Sequence, residues 1–366
     1  MKKVFAALSG GVDSSVAAAL LQKRGFAVLG IHIRCYNVDG CGERDAADAR
    51  RVAQHLKIPF YVFDFEEDYK RQVVDYMVDG YRRGLTPNPD VMCNQKIKFG
   101  LFLKRALELG ADCITTGHYA LLKKAGSVAG AAPAPPVFRL LAAKDQNKDQ
   151  SYFLWTLTQE RLKRCLFPIG EYTKPRVRAM AKKFGLPTAE KKDSRGICFL
   201  GNVTLADFLK DYIPEERGLV LTIGGEPIGE HRGAHYYTIG QRHGLAIGGF
   251  EKPLYVVQKD INTNTVFMAE GKNNPTLYKR ELNLTNVNFI NPALPSLIRA
   301  NGRIDILARV RYRQPLAKAA LAIFSNAEEY VYGLTFEHPQ KFVAPGQSAV
   351  FYSASGELLG GGVICG

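Results

Sequence analysis

The chain of 366 residues is poor in the features that would carry it out of a cell or into a membrane. No apolar run is long enough to span a bilayer, and Met1-Lys2-Lys3 stands directly before the first apolar stretch, which leaves no room for a signal or transit peptide. A cytoplasmic protein with no membrane association is therefore expected. Its seven cysteines are odd in number, scattered, and without a Cys-x-x-Cys pair, which argues against a disulfide framework. There is no internal repeat. Acidic residues are short as well, 35 against 49 lysines and arginines, and the formal charge is +14. Such an excess calls for an acidic partner, with nucleic acid the leading candidate and plain solubility the alternative.

At 46% hydrophobic residues the chain can build two or three cores. Its most informative stretch is Ser9-Gly10-Gly11-Val12-Asp13-Ser14, which follows the apolar run Val4-Phe5-Ala6-Ala7-Leu8 and opens a helical pattern closed by Gly25. A strand, a glycine-rich turn and a helix N-terminus form an anion site, because backbone N–H groups and the helix dipole converge there. The loop lacks the Lys-Ser/Thr ending of a P-loop and the spaced glycines of a dinucleotide turn. It resembles instead the loop of the PP-loop ATP pyrophosphatases, which adenylate a carbonyl oxygen.

Up to about residue 122, short apolar runs (28–33, 60–65) alternate with amphipathic ones (45–56), as in a parallel sheet covered on both faces. Residues 125–136, rich in Gly, Ala and Pro, read as a hairpin tip or insertion. Helical patterns are expected from 152 to 184. Short β-rich runs follow, among them 235–239, 254–257, 304–312, 329–336 and 348–352. The fold class expected is α/β: a Rossmann-like parallel sheet carrying the phosphate loop in residues 1–205, a small, mainly-β central domain in 206–278 and a C-terminal β-barrel in 279–366.

Two cysteines differ from the rest by setting. Cys93 follows Thr86-Pro87-Asn88-Pro89-Asp90, where the prolines are expected to keep the chain extended and put a carboxylate three residues before the thiol. Cys198 lies close to Lys191, Lys192 and Arg195, and positive charge favours the thiolate. Cys35, Cys41, Cys113, Cys165 and Cys365 read as buried hydrophobes.

Taken in order, residues 9–14, 86–99, 116–120, 147–154, 193–199, 231–233 with 237–242, 310–312 and 344–352 resemble the motifs of the tRNA-specific 2-thiouridylases of bacteria and mitochondria. The resemblance implies that ATP binds at Ala7, Leu8, Ser9, Gly10, Gly11, Val12, Asp13 and Ser14, with Ile33 as an apolar bed for adenine and Gly117 near the nucleotide. It implies Mg²⁺ on the pyrophosphate. Asp90, Cys93 and Cys198 would be catalytic: the C2 oxygen of a wobble uridine is adenylated, and sulfur arrives as a persulfide on Cys198 from a cysteine desulfurase or sulfur-carrier protein. Asp90 suits proton transfer at uracil N3.

By the same resemblance Asn88, Pro89 and Asp90 would meet the target base, Lys148, Asp149 and Gln150 the anticodon arm, and Arg311 and Tyr312 another part of the tRNA, with tRNAs for Lys, Glu and Gln as substrates. The chain departs from the pattern at Ile33, Arg34 and Cys35, and at residues 202–207, which lack the usual basic side chains. An amidating PP-loop ligase, an iron–sulfur cluster on Cys93 and Cys198 with Asp90 or a third cysteine, and a tRNA-binding module without chemistry are the alternatives.

Overall fold

The computed structural model describes residues 1–124, 137–193, 196–197, 199–245, 247–326 and 329–365; the segment 125–136, Ser194, Arg195 and Cys198 lie outside them. The first region contains strands β1 (Lys3–Ala7), β2 (Ala27–Arg34), β3 (Phe60–Asp64), β4 (Cys113–Thr115), β5 (Leu121–Lys124), β6 (Phe138–Leu141) and β7 (Cys165–Leu166). Five of them form a wholly parallel sheet in the order β3-β2-β1-β4-β7. The connection after β1 runs to one side and β4 lands on the other. The strand order therefore reverses between β1 and β4, and ligands of such sheets bind beyond the carboxyl ends at that reversal.

Helix α1 (Val12–Lys23) starts there, and its small, apolar residues from Ser14 to Leu21 are buried without exception. Gly25 at φ +81° ends it, with the Phe26 N–H returning to the Leu21 carbonyl at 3.1 Å. Helix α2 (Cys41–Leu56) covers β2 and β3. Strands β5 and β6 pair antiparallel on either side of segment 125–136.

A four-stranded sheet follows, in the order β10-β11-β8-β9, from β8 (Gly218–Thr222), β9 (Pro227–His231), β10 (Leu254–Asp260) and β11 (Thr265–Glu270). Residues 235–239, expected to be a strand, form a single 3-10 turn and a loop. The Lys259 Nζ donates to the Tyr237 carbonyl at 2.6 Å, occupying an acceptor that a ladder would need, and the adjacent Tyr236 and Tyr237 both pack inward. Strands β12 (Tyr278–Phe289), β13 (Arg303–Arg309), β14 (Ala317–Asn326), β15 (Glu329–Lys341), β16 (Ser348–Tyr352) and β17 (Leu358–Ile364) close into a barrel, which leaves no sheet edge unpaired. The α/β fold with a mainly-β middle and a terminal barrel is thus present.

The expected helical stretch 152–184 is broken into a 3-10 turn at Ser151–Leu154, a short helix at Gln159–Leu162, β7 and a helix at Lys174–Lys183. Its start is fixed on the barrel instead: the Tyr152 hydroxyl donates to the Ser348 carbonyl at 2.9 Å and the Trp155 indole N–H to the Ser348 hydroxyl at 3.0 Å. One apolar cluster runs from Phe5 and Ile114 through Trp155 to Val350 and Leu358, so the sheet domain and the barrel share a core.

Candidate active site

The loop after β1 has the geometry of an anion cradle. Gly10 takes φ +70°, and a Cβ there would lie 2.4 Å from the Asp45 carbonyl oxygen, so only glycine fits. The Ser9 N–H donates to the Ser14 Oγ at 3.2 Å, and the two hydroxyls are 3.1 Å apart, which folds the loop over the N-terminus of α1. Leu8 and Val12 are buried, so these two present only backbone to a ligand. The His32 ring on β2 bonds the Leu8 carbonyl at 3.1 Å and fixes where the loop begins. Gly117, after β4, lies so close that a Cβ would be 2.7 Å from the Ser14 nitrogen. These features fit a phosphate group: a helix N-terminus, whose first-turn N–H groups have no partner within the helix, and a floor with no side chain.

Cys93 does not sit on an extended segment. Asn88 is extended, but its side chain caps a helix by accepting from the Val91 N–H at 3.2 Å, and Pro89 occupies the first helical position, where its missing N–H costs nothing. The helix Pro89–Met92 runs on into a π-helix, Cys93–Phe102. In that winding a residue and the fifth after it share a face, which brings Lys98 round toward Cys93. Phe99 on the same helix packs on His118, ring centroids 5.8 Å apart, and His118 is the neighbour of Gly117. The thiol-bearing helix is thereby packed, through residues 117 and 118, against the phosphate loop. Ile33, half-buried, packs against both the sheet core and the cluster around Cys93.

Burial governs the electrostatics here. It pushes the Asp90 carboxyl up, with the Lys98 charge opposing. It pushes the Cys93 thiol up as well, again opposed by Lys98, and Tyr69 adds a hydrogen bond that favours the thiolate. His118, buried and near the same lysine, is held well below its ordinary value and is neutral at pH 7; its Nδ1 is 2.7 Å from the Thr116 hydroxyl. Ile197 and the buried Phe199 pack in the same apolar cluster as Cys93. Of the other cysteines with a described side chain, only Cys165 is fully buried, while Cys35, Cys113 and Cys365 are partly exposed.

A second group of charges brackets the phosphate loop. Lys174 Nζ lies 2.8 Å from both Asp13 oxygens and 2.9 Å from Asp193. Asp193 also holds Lys148 at 2.7 Å and Arg178 at 2.6 Å. Burial pushes the Asp193 carboxyl up, but its bonds to Lys148 and Lys174 outweigh that and keep it well below the usual carboxylate range. Asp13 and Asp193 supply hard oxygens of the kind Mg²⁺ takes together with phosphate oxygens, and here those oxygens are engaged by Lys174, Lys148, Arg178 and the Tyr119 hydroxyl. Among the described residues no group of three or more His, Cys, Asp or Glu side chains gathers as metal ligands.

The residues expected to face RNA do not all face outward. Asp149 is 2% exposed and accepts from the Ala143 N–H at 3.0 Å, the Ser151 N–H at 3.1 Å and the Ser151 hydroxyl at 2.9 Å, with the Arg309 guanidinium 2.7 Å away. Its lone pairs are engaged inside the protein, and it presents no acceptor at the surface. Gln150 accepts from the Tyr119 N–H at 3.0 Å, and Lys148 is on Asp193. Arg311 is half-buried and donates to the Ile239 carbonyl of the central domain at 2.5 Å. Tyr312 packs on Phe153, ring centroids 4.5 Å apart. Asn88, Pro89 and Asp90 lie at the start of the Cys93 helix, in a loop pinned to the barrel by bonds from the Thr86 N–H to the Pro345 carbonyl and from Gln347 to the Thr86 carbonyl, 2.8 and 2.7 Å. Sequence reading missed Lys174, Arg178, Tyr119, Arg309 and His32, whose partners lie elsewhere along the chain, and Lys98, whose approach to Cys93 depends on the winding of its helix.

Family models match nearly the whole chain. A family model described as "tRNA methyl transferase HUP domain" matches residues 2–202, one described as "tRNA methyl transferase PRC-barrel domain" matches 206–270, and one described as "Aminomethyltransferase beta-barrel domain" matches 279–364. Proteins named tRNA-specific 2-thiouridylase MnmA are similar over their whole length. That of Flavobacterium johnsoniae is 41% identical over 100% of both chains, and that of Bacillus velezensis is 44% identical over 99% of this chain and 94% of its own. The Bacillus subtilis protein of that name is 42% identical over 99% of this chain and 94% of its own. With identity at this level from end to end, the chain belongs to the tRNA-specific 2-thiouridylase family.

Proposed function

We propose that the protein is a tRNA-uridine 2-sulfurtransferase that adenylates C2 of the wobble uridine with ATP and replaces its oxygen by sulfur. The observation that carries this reading is the continuous packing from the phosphate loop through Gly117 and His118 to the helix of Asp90 and Cys93, which joins an anion cradle to a buried carboxyl and a thiol. A uracil oxygen is a poor leaving group. Attack of the C2 oxygen on the α-phosphate expels pyrophosphate and turns that oxygen into part of a phosphate ester that departs as AMP.

Residues 7–14 bind the ATP phosphates, with Ile33 and Gly117 bordering the nucleotide. Mg²⁺, when bound, neutralises charge on the pyrophosphate, and Asp13 and Asp193 would hold it. Asp90, as the carboxylate, takes the uracil N3 proton as the C2 oxygen attacks, and the burial that raises its pKa makes it a stronger base. The terminal sulfur of a Cys198 persulfide attacks C2 and AMP leaves. The Cys93 thiolate then attacks the Cys198 sulfur, which frees 2-thiouridine and leaves a Cys93–Cys198 disulfide to be reduced before the next turnover. In a second route Cys93 attacks the persulfide first, forming the same disulfide and releasing hydrogen sulfide as the nucleophile.

The domain limits that go with this function are 1–205 for catalysis, 206–278 for the central domain and 279–366 for the barrel. The +14 charge supports tRNA as the polyanion, with tRNAs for Lys, Glu and Gln as substrates. A cysteine desulfurase or sulfur-carrier protein donates the persulfide. No helix among the described residues is long and apolar enough to cross a membrane, which is consistent with work in the cytoplasm.

Cys198→Ser and Cys93→Ser separate the two halves of the reaction. Incubated with ATP, Mg²⁺, unmodified tRNA and a persulfide-generating desulfurase, Cys198→Ser is expected to form AMP-linked product without sulfur in the RNA, and Cys93→Ser to release no 2-thiouridine, stalling as an RNA–sulfur–Cys198 adduct in the first route and as AMP-linked RNA in the second. An amidating ligase would be indifferent to both changes, and that result would overturn the proposal.

A further inference from the structure

Asp149 and Arg309 come from opposite sides of the junction between the sheet domain and the barrel, and both are buried, 2% and 8% exposed at the side chain. The guanidinium also bonds the Tyr352 hydroxyl at 2.6 Å and lies over the Tyr352 ring, 4.9 Å from its centroid. The Ser151 hydroxyl, 3.0 Å from that of Tyr352 and 2.9 Å from Asp149, closes the ring of contacts. Both Asp149 oxygens are bonded here, while the buried Arg309 Nε has no hydrogen-bond partner, and removing one member of such a buried pair leaves the other charge uncompensated. Asp149 thus ties the turn 143–151 to the barrel.

The residues on either side of Asp149 point the other way. Gln150 pairs with Tyr119 through two bonds, side-chain oxygen to N–H at 3.0 Å and N–H to carbonyl at 2.8 Å. The Tyr119 hydroxyl in turn donates to Asp13 of the phosphate loop at 2.9 Å. Lys148 holds Asp193, which shares Lys174 with the same Asp13. Two short paths therefore lead from one buried ion pair at the barrel to one carboxylate in the ATP-binding loop.

We propose that Asp149 and Arg309 are positioning residues for ATP: by docking the turn 143–151 on the barrel they hold Gln150 and Lys148 where these brace Asp13 and the phosphate loop. This rests on the proposed ATP chemistry and assigns residue 149 a task inside the protein instead of an RNA contact. It also gives the barrel a means of acting on the nucleotide site, since whatever shifts β13 and β16 shifts the partners of Asp149.

The test is equilibrium binding of a non-hydrolysable ATP analogue, without tRNA, to the full chain and to Asp149→Asn, Arg309→Met and Tyr119→Phe, with tRNA affinity and thermal midpoint measured alongside. Coupling through a packed network of this kind changes affinity by about 3- to 30-fold. Analogue binding is expected to weaken by that factor in all three variants while tRNA affinity moves by less than about 3-fold. Arg309→Lys, which keeps a cation, is expected to lose less than Arg309→Met. Tyr119→Phe removes a single hydroxyl and keeps the question open to test if the ion-pair variants do not fold; unchanged analogue binding in it overturns the proposal. So does weakened tRNA binding with normal analogue binding in Asp149→Asn, which would make residue 149 an RNA contact, or a lower thermal midpoint with both affinities unchanged, which would make the pair structural only. If the wild-type chain itself binds no analogue, the proposed function fails, not this pair.

Discussion

Gly117→Ala isolates the contact on which the phosphate loop rests. The added Cβ would lie 2.7 Å from the Ser14 nitrogen, 3.0 Å from the Asp13 carbonyl carbon and 3.1 Å from the Ser14 Cα, all backbone atoms of the loop and the first turn of α1. Ordinary contact begins near 3.4 Å, so the backbone must retreat by roughly 0.7 Å, and no side chain can rotate away to absorb it. Gly117 itself is not in the left-handed region, so the penalty comes from space and not from its own backbone. Inserting one methyl into such a contact destabilises by about 1–3 kcal/mol. A loop displaced by nearly 1 Å is expected to lose on the order of 100-fold in kcat/KM for ATP. The assay is tRNA-dependent pyrophosphate release with varied ATP, alongside urea unfolding and tRNA binding. Wild-type kcat/KM in a folded Gly117→Ala protein would refute the claim that residue 117 sets the position of the phosphate loop.

Other expectations follow from the charges around the site. Lys174→Met leaves Asp13 and Asp193 without their shared cation; the loss of charged hydrogen bonds worth about 1.5–3 kcal/mol should weaken ATP-analogue binding by at least about 10-fold, and calorimetry showing unchanged affinity would contradict it. Alkylation of Cys93, followed by mass spectrometry, should rise only above the ordinary thiol range, and Lys98→Met should move that rise further up because the opposing charge is gone; an unmoved profile would exclude Lys98 as its electrostatic partner. Asp90→Asn is expected to abolish thiolation yet stabilise the fold. Because burial raises the Asp90 pKa, the carboxyl contributes no penalty below its unfolded value and an increasing one as pH rises through its folded value, so the variant's advantage in urea unfolding, on the order of 1 kcal/mol, should be present at pH 7 and absent only below about pH 3.

What was legible in the sequence was whatever short-range pattern controls. The strand, the two glycines and the helix of residues 4–21 lie next to one another, and their periodicity and turn chemistry specify the cradle without reference to the rest of the chain. The closed barrel was legible for the same reason, as short strands with turns between them. Pro89 misled because a proline fits an extended segment and a first helical position equally well, and the Asn88 side chain that decides the matter bonds only in the folded turn. The burial of Asp149 on Arg309 was not legible, because that cation is 160 residues away. Lys98 was obscured by the winding of its helix, since a residue five on from Cys93 faces away from it in an α-helix and toward it in a π-helix.

The central claim is tested most directly by mass spectrometry of nucleosides from a tRNA incubated with the protein, ATP, Mg²⁺ and a persulfide-generating desulfurase. The expected product is 2-thiouridine at the wobble position, formed with one AMP per sulfur and absent in Cys198→Ser. AMP formation with no sulfur in the RNA, or thiolation that survives in Cys198→Ser, would contradict it.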